Sequence, residues 1–259
     1  MGHQIILSHI IENMRLIKPI GQGGMSFVYL AENMKTKEKL AIKVLKANRA
    51  EDQQFLDLFL TEADVSRFLD HPNLIKTRKV GQYHGNYYLI MDYFEGMTLD
   101  ALILRHKTQQ HTLSWKLAAY IVLDILSVLD YLHHAGDKNG EPLQLVHRDI
   151  TPHNVFINEN MKVMVGDLGA THIASHGTMM DHIAIGKLAY IAPEVLTGED
   201  FNHTADIFSL GIVFWEMLTL ERLFYHPNEQ ETISRIMHKN YPLPSSKNSA
   251  LGKDKAVSL

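Results

Sequence analysis

Cysteine is absent from the 259-residue sequence, which excludes disulfide bonds, thiolate metal sites and cysteine nucleophiles. Charge of either sign is not in excess: the net charge is −4 at pH 7, so we expect neither nucleic acid nor an anionic membrane as a partner. Long hydrophobic runs are also missing, because the most apolar stretch, 207–220, contains Glu216 and is shorter than the roughly 20 residues of a membrane span. The first residues lack the basic start and apolar core of a signal peptide. Together these absences predict a cytoplasmic protein without a membrane span.

The remaining composition is that of an ordinary folded protein, with 46% apolar and 21% charged residues. At this length the chain can form one large domain or two lobes that share a cleft. Histidine is frequent, with 16 residues, so a histidine metal site is one alternative. His172 and His176 could share a helix face, but they lie among Gly, Ser and Thr without an organised carboxylate. This pattern favours solvated loop histidines, because metal ligands normally follow a specific spacing.

Hydrophobic periodicity divides the chain into a strand-rich first part and a mainly helical second part. Strands are predicted at 15–20, 27–32, 40–45, 77–83 and 86–92. One helix is predicted within 51–69, where an apolar stripe is formed by Leu58, Val65 and Leu69 together with Glu62. A glutamate on such a stripe is costly unless a cation meets it. In the second part we predict helices at 115–134, 204–219 and 229–239, a hairpin over 155–166 and a disordered polar tail at 245–259.

The segment HRDITPHNV, residues 147–155, places Asp149 and Asn154 five positions apart. With this spacing the aspartate can accept a hydroxyl proton, and the asparagine oxygen can ligate magnesium beside a transferred phosphoryl group. Asp167-Leu-Gly and then an Ala-Pro-Glu segment that ends at Glu194 follow in order. Singly, Asp149 and Asp167 are as well explained as cap or turn residues. The joint spacing is explained only by phosphoryl-transfer chemistry.

Two features upstream point to the same chemistry. The segment GQGGMSFV, 21–28, permits a hairpin whose backbone amides approach a phosphate closely, because glycine has no Cβ to obstruct them. A glycine-bearing β-turn is the alternative for that segment alone. Lys43 lies on a short apolar strand, where Glu62 is its obvious partner, and such a pair holds a lysine where it can reach nucleotide phosphates. The alternative, a lysine that extends to solvent, leaves the inward glutamate unexplained.

On these motifs, residues 14–240 resemble the eukaryotic-type (Hanks-type) protein kinases, and the segments GGMS and VYLA resemble the bacterial Ser/Thr members. Asp206, in DIFSLG, matches the helix aspartate that braces the catalytic loop in that family. The resemblance implies an α+β, two-lobed protein kinase fold with ATP in the cleft. The first lobe would have a five-stranded antiparallel sheet and one helix, and the second would be mainly helical. The implied divisions are an N-terminal extension 1–13, an N-lobe 14–92, a shortened C-lobe 93–244 and the tail 245–259.

The resemblance also assigns roles to residues. Asp149, Lys43 and Glu62 would be catalytic, and Asn154 and Asp167 would hold Mg²⁺ against the phosphates of ATP. The remaining nucleotide-binding positions would be Gly21, Gln22, Gly23, Gly24, Met25, Ser26, Val28, Ala41, Met91, Asp92 and Phe94.

Two departures from the family pattern lie near the catalytic aspartate. Most Ser/Thr kinases have a lysine two positions after this aspartate, where this chain has Thr151. The family has a threonine after the activation-segment glycine, where this chain has Lys187. One hypothesis is an exchange, in which Lys187 places its ammonium group beside Asp149 and joins the catalytic residues. The other is that Lys187 points to solvent.

The resemblance implies a Ser/Thr protein kinase that transfers the γ-phosphoryl group of ATP to protein hydroxyls and can phosphorylate itself. The alternative is a pseudokinase, an interaction module on the same fold. Within the activation segment, Thr171, Ser175 and Thr178 are candidate phosphorylation sites, and Asp181 is a candidate permanent charge that pairs with Arg148.

Overall fold

We analysed a computed structural model of the chain, which describes residues 10–50, 52–136, 139–168, 172–173, 185–199, 202–238 and 241–251. The chain divides into two compact units, residues 1–95 (unit 1) and 96–259 (unit 2). The division therefore falls at Glu95/Gly96, close to the predicted boundary at 92/93.

Unit 1 contains an antiparallel sheet in the strand order β1-β2-β3-β4-β6-β5. The strands are β1 Ile10–Ile11, β2 Met14–Gln22, β3 Ser26–Asn33, β4 Lys39–Leu45, β5 Thr77–Tyr83 and β6 Asn86–Asp92. All five predicted strands are present, but the sheet has six strands because β1 forms from the predicted N-terminal extension. Ile11 is buried in the core with Leu16 and Tyr88, and a strand of two residues is too short to show periodicity in the sequence.

Two helices accompany this sheet, α1 Ala47–Ala50 and α2 Gln53–Ser66, where one helix was predicted. Phe59 and Ala63 of α2 pack with Leu45 and Leu89 from β4 and β6. Glu62 is buried on the neighbouring position of the helix, as the sequence pattern predicts. The face that enters the core thus carries one carboxylate, and that carboxylate needs a cation.

The turn between β5 and β6 depends on its glycine. His84 and Gly85 have φ values of 48° and 79°, the pair of positive angles that a tight antiparallel hairpin favours. Gly81 on β5 is required for a different reason, because a Cβ there would lie 2.6 Å from Cζ of Tyr88. The ring of Tyr88 therefore lies across the backbone of the adjacent strand, where its hydroxyl donates to the carboxylate of Glu12.

Unit 2 is mainly helical, as predicted. Its helices are α3 Leu99–Thr108, α4 Trp115–His133, α5 Ile185–Leu188, α6 Pro193–Leu196, α7 Thr204–Thr219, α8 Glu229–Met237 and α9 Pro244–Lys247. Its strands are β7 Met97–Thr98, β8 Leu145–Val146, β9 Val155–Ile157, β10 Val163–Val165 and β11 His172–Ile173. The predicted helices at 115–134, 204–219 and 229–239 and the hairpin β9–β10 are confirmed. Helix α3, the short helices α5, α6 and α9 and the short strands β7, β8 and β11 were not predicted. Helix α4 packs against α7, β8 and β10, and this core supports the loop 147–154.

The predicted disorder of the tail is wrong for residues 245–251. Helix α9 covers Pro244–Lys247, and Asn248 donates from its side chain to the carbonyl of Leu218 at 2.8 Å. Leu251 is also buried, although it lies in a largely polar stretch. The prediction failed because the average composition of the tail does not reveal such individual contacts. None of the helices in the described part of the chain is long and apolar enough to cross a membrane.

The contacts of the glycines generate a stability prediction. Gly81→Ala should lower the free energy of unfolding by about 1–3 kcal/mol, because the new methyl group displaces the buried ring of Tyr88 from Glu12. Gly24→Ala is the matched control, since a Cβ at Gly24 meets no atom within 4 Å. Urea denaturation of both variants measures the difference. Equal stability of the two variants would show that Tyr88 can move without cost.

Candidate active site

The glycine-rich segment forms the turn between β2 and β3. Gln22 pairs with Phe27, and the turn is closed by a hydrogen bond from the Gly23 amide to the carbonyl of Ser26 at 2.9 Å. The ammonium group of Lys46 holds the turn from its other side, with 2.7 Å to the carbonyl of Gly23. The turn is thus fixed by backbone atoms and by a lysine that was not predicted to take part.

Gly23 and Gly24 have no internal reason to be glycine. Neither has a positive φ, and a Cβ on Gly23 would be 3.9 Å from its nearest neighbour, which is ordinary contact. The described residues of unit 1 would therefore accept a methyl group at either position. The small size of these two glycines is compatible with the close approach of a phosphate to the backbone.

Lys43 and Glu62 form a buried ion pair in unit 1. The ammonium nitrogen lies 2.8 and 2.7 Å from the two carboxylate oxygens, and the residues are 5% and 3% exposed. Strand β4 places the lysine, and helix α2 places the glutamate. The structure therefore brings together the two residues that the sequence predicted to pair.

The other predicted nucleotide-binding positions of unit 1 lie along β4 and β6. Ala41 pairs with Met91 across the sheet, and both Met91 and Met25 pack against the same buried apolar cluster. Asp92 uses its side chain in an ion pair with Arg78, and its amide donates to the carbonyl of Lys76 at 3.0 Å. An adenine contact in this segment would therefore use backbone groups other than the amide of Asp92.

Asp206 organises the loop that carries the predicted catalytic residues of unit 2. Its carboxylate accepts the amide protons of His147 and Arg148 at 2.9 and 2.8 Å, and it also contacts Nε2 of His133 at 2.9 Å. Asp206 is fully buried in the first turn of α7. The brace holds Arg148 at a φ of 63°, a conformation that a non-glycine residue seldom adopts.

Asp149 is 4% exposed and is surrounded by polar groups. The amide group of Asn154 donates to the carbonyl and to Oδ2 of Asp149 at 2.9 and 2.7 Å. Burial raises the pKa of Asp149, the ammonium group of Lys187 lowers it and the charge of Asp167 raises it. Asp149, Asn154 and Asp167 therefore form one electrostatic cluster, as the sequence spacing predicted.

Asn154 and Asp167 fit a magnesium ion by the chemistry of their atoms. Asn154 uses its NH₂ group within the loop, so its side-chain oxygen is the atom that can ligate a cation. Asp167, at a φ of 62°, adds a carboxylate whose charge raises the pKa of Asp149. Within the described ranges no three His, Asp or Glu side chains converge on a metal site. Two side-chain ligands suit magnesium, because this ion keeps several waters and binds substrate phosphates.

Lys187 and Thr151 occupy different environments around Asp149. The ammonium group of Lys187 contacts Oδ2 of Asp149, although 44% of the lysine side chain is exposed. Thr151 is 2% exposed, and its hydroxyl has no hydrogen-bond partner among the described residues. Of the two placements that the sequence left open for Lys187, the structure has the one beside Asp149.

A second polar network, which sequence reasoning missed, fixes the segment that follows Lys187. The hydroxyl of Tyr190 donates to Glu216 at 2.7 Å and receives a hydrogen bond from Arg222. Ser209 donates to the carbonyl of Tyr190 at 2.7 Å. Burial raises the pKa of Glu216 to about 7, although Tyr190 and Arg222 oppose the shift. The one sequence feature that pointed to this network was Glu216, an acidic residue within the most apolar stretch of the sequence.

Part of the predicted activation segment lies outside the described residues. This holds for the candidate phosphorylation sites Thr171, Ser175 and Thr178 and for Asp181. The described part, 185–199, contains Lys187, Tyr190 and the Ala-Pro-Glu segment.

Comparisons with known proteins agree with this geometry. The family described as protein kinase domain matches residues 14–256. The chain is 34% identical over 244 residues to the serine/threonine-protein kinase PrkC of Bacillus subtilis (strain 168), which covers 94% of this chain and 36% of that protein. It is 31% identical over 229 residues to the serine/threonine-protein kinase PknJ of Mycobacterium tuberculosis (strain ATCC 25618 / H37Rv), with 86% and 37% covered. It is also 27% identical over 226 residues to the tyrosine-protein kinase MasK of Myxococcus xanthus (strain DK1622), with 86% and 35% covered. The chain spans little more than a third of the length of these relatives.

The buried pair in unit 1 makes a quantitative prediction. Lys43→Met should lower the free energy of unfolding by about 3–5 kcal/mol, because it leaves the carboxylate of Glu62 buried beside an apolar side chain. The double variant Lys43→Met, Glu62→Leu should recover much of that loss, since it removes both charges together. Chemical denaturation measures each step. Additive losses in the double variant would contradict the pair as the cause.

Glu216 predicts a dependence of stability on pH. The folded pKa of about 7 lies above the ordinary glutamate pKa of 4.5, so the folded state binds this proton more tightly than the unfolded state. The resulting stabilisation is complete below about pH 4.5 and is lost as the pH rises through about 7. The free energy of unfolding of the wild type, relative to that of Glu216→Gln, should therefore fall across this window by about 1.4 kcal/mol for each pH unit. Glu159→Gln, at an exposed position, is the control and should keep the wild-type slope.

Proposed function

Since this chain belongs to the protein kinase domain family, we propose that it is a Ser/Thr protein kinase, which transfers the γ-phosphoryl group of ATP to hydroxyl groups of proteins. The observation that carries the proposal is the environment of Asp149. A buried carboxylate, placed by a braced loop, lies next to an asparagine and a second aspartate that suit a magnesium ion. All these residues are present, so the alternative of a pseudokinase has no observation in its favour.

In the proposed reaction, Asp149 orients the substrate hydroxyl and accepts its proton. The hydroxyl oxygen forms a bond to the γ-phosphorus, the bond from that phosphorus to the bridging oxygen breaks, and ADP leaves with the electron pair. Asn154 holds the Asp149 carboxylate through its NH₂ group, so one residue orients the proton acceptor and offers an oxygen to the cation. Such catalysis depends on positioning and on charge placed before the reaction begins.

We assign magnesium to Asn154 and Asp167. Bound there, the ion would supply positive charge to the phosphates of ATP. Unit 1 would supply nucleotide binding through the amides of the glycine-rich turn and through Lys43, which Glu62 holds in place. Lys46 would support this turn through its hydrogen bond to the carbonyl of Gly23.

The preference for serine and threonine rests on two points. The resemblance to the kinase family implies it through Pro152 in the catalytic loop, and the similar proteins PrkC and PknJ are serine/threonine-protein kinases. The name of MasK, a tyrosine-protein kinase, shows why the acceptor must be measured. Incubation with ATP and magnesium, followed by mass spectrometry of the chain and of a generic basic protein, reports transfer and the modified residue type together. Protein substrates and a cytoplasmic location are part of the proposal.

The role of Asp149 makes the catalytic prediction. Asp149→Asn should lower turnover by about 10²–10⁴-fold, because an amide cannot accept the hydroxyl proton. Nucleotide binding should survive in this variant, whereas Asp167→Asn should weaken binding that depends on magnesium. Steady-state turnover and nucleotide titration separate the two effects.

Asp64→Asn, at an exposed position of α2, is the matched control and should behave as wild type. Unchanged turnover in Asp149→Asn would remove the catalytic assignment. Nucleotide binding without transfer in the wild-type chain would instead favour the pseudokinase.

A further inference from the structure

The carboxylate of Asp149 is contacted by donors from two separate segments of unit 2. Asn154 belongs to the same loop, whereas Lys187 belongs to α5, in the segment 185–199. Both donors reach the same oxygen, Oδ2. The cation beside the proposed proton acceptor therefore comes from outside the catalytic loop.

The loop itself offers a position for a cation and leaves it neutral. Thr151 is two residues after Asp149 and 2% exposed, and its hydroxyl is buried without a partner in the described part of the chain. A buried hydroxyl without a hydrogen bond costs free energy. A longer cationic side chain at this position would compete with Lys187 for the same carboxylate.

The position of Lys187 depends on the anchor that follows it. The carbonyl of Lys187 accepts the amide proton of Tyr190 at 3.0 Å. Tyr190 is in turn fixed to α7 by Ser209 through its carbonyl and by Glu216 through its hydroxyl. Residues 187–190, which carry the ammonium group that contacts Asp149, are thus docked on α7 through Tyr190.

We propose that Lys187 is the catalytic cation of this kinase, supplied by the activation segment in exchange for a catalytic-loop lysine, so that docking of residues 187–190 controls the charge at Asp149. This inference rests on the proposed kinase function. In the docked state Lys187 orients the Asp149 carboxylate and offers positive charge to the phosphoryl group that is transferred beside it. When the segment is displaced, Asp149 keeps Asn154 as a donor but loses its cation.

The test is an exchange of the two residues in the full chain. Lys187→Thr should lower kcat by about 10²-fold while the KM for ATP changes much less, because the lost charge acts where the transition state forms. Lys187→Arg should keep most of the activity, since it keeps the charge. The double variant Thr151→Lys, Lys187→Thr should recover most of the lost turnover. Thr151→Lys alone should be impaired, because it forces two cations together.

Lys162→Thr, in the exposed turn between β9 and β10, is the matched lysine-to-threonine control and should leave turnover unchanged. Wild-type turnover in Lys187→Thr, or additive losses without recovery in the double variant, would overturn the exchange.

A stability readout separates this inference from the kinase function itself. Lys187→Thr should reduce the free energy of unfolding, since it leaves the buried Asp149 without its cation, and the double variant should restore it. This comparison needs no catalysis. If the wild-type chain transfers no phosphate but the double variant restores stability, the proposed function fails and the charge exchange stands. If the wild type is active and neither turnover nor stability recovers in the double variant, the exchange fails and the kinase function stands.

Discussion

The carboxylate of Asp206 is the constraint on which the candidate active site depends. Both of its oxygens accept backbone amide protons, those of His147 and Arg148, and a histidine of α4 contacts one of them as well. A fully buried carboxylate with three such contacts loses little by leaving water, whereas its removal would orphan two buried amides. The brace also holds Arg148 in a left-handed conformation, and burial lowers the pKa of that arginine to about 10. Asp149 is the next residue in the chain, so the conformation of Arg148 sets the direction in which the backbone enters Asp149.

Helix α7, which carries Asp206, also positions the segment that bears Lys187. Its first turn carries Asp206, and its later turns carry Ser209 and Glu216, which hold Tyr190. One helix therefore positions both the loop that bears Asp149 and the segment that bears Lys187. The two segments that form the ion pair therefore share one support. This arrangement requires Glu216 to be buried within an apolar helix. Burial disfavours the charged carboxylate and thereby raises the pKa of Glu216.

Much of this could be predicted from the sequence, since strand alternation, helical periodicity and motif spacing are local properties. The five predicted strands, the pairing of Lys43 with Glu62 and the clustering of Asp149 with Asn154 follow from such patterns. Strand β1 and helix α3 were missed, and Leu251 was assigned to a disordered tail. The network of Tyr190, Glu216 and Arg222 was missed for another reason. Tyr190 lies 26 positions before Glu216, and the two side chains meet only through tertiary packing, to which no spacing rule refers.

The cation beside Asp149, Lys187, comes from a different segment of the chain than the catalytic loop. A lysine within the catalytic loop would accompany Asp149 in every conformation that keeps the loop intact, because the two would be only two residues apart. Lys187 is separated from Asp149 by 38 positions, so their contact exists only when both segments are folded on α7. In the proposed exchange, the charge at the proposed proton acceptor therefore depends on the placement of residues 187–190. An exposed lysine side chain can also leave the carboxylate without breaking the loop, because the brace at Asp206 and the donor from Asn154 remain. In this proposal the loop braced by Asp206 places the proton acceptor, and the separate segment that bears Lys187 supplies the positive charge.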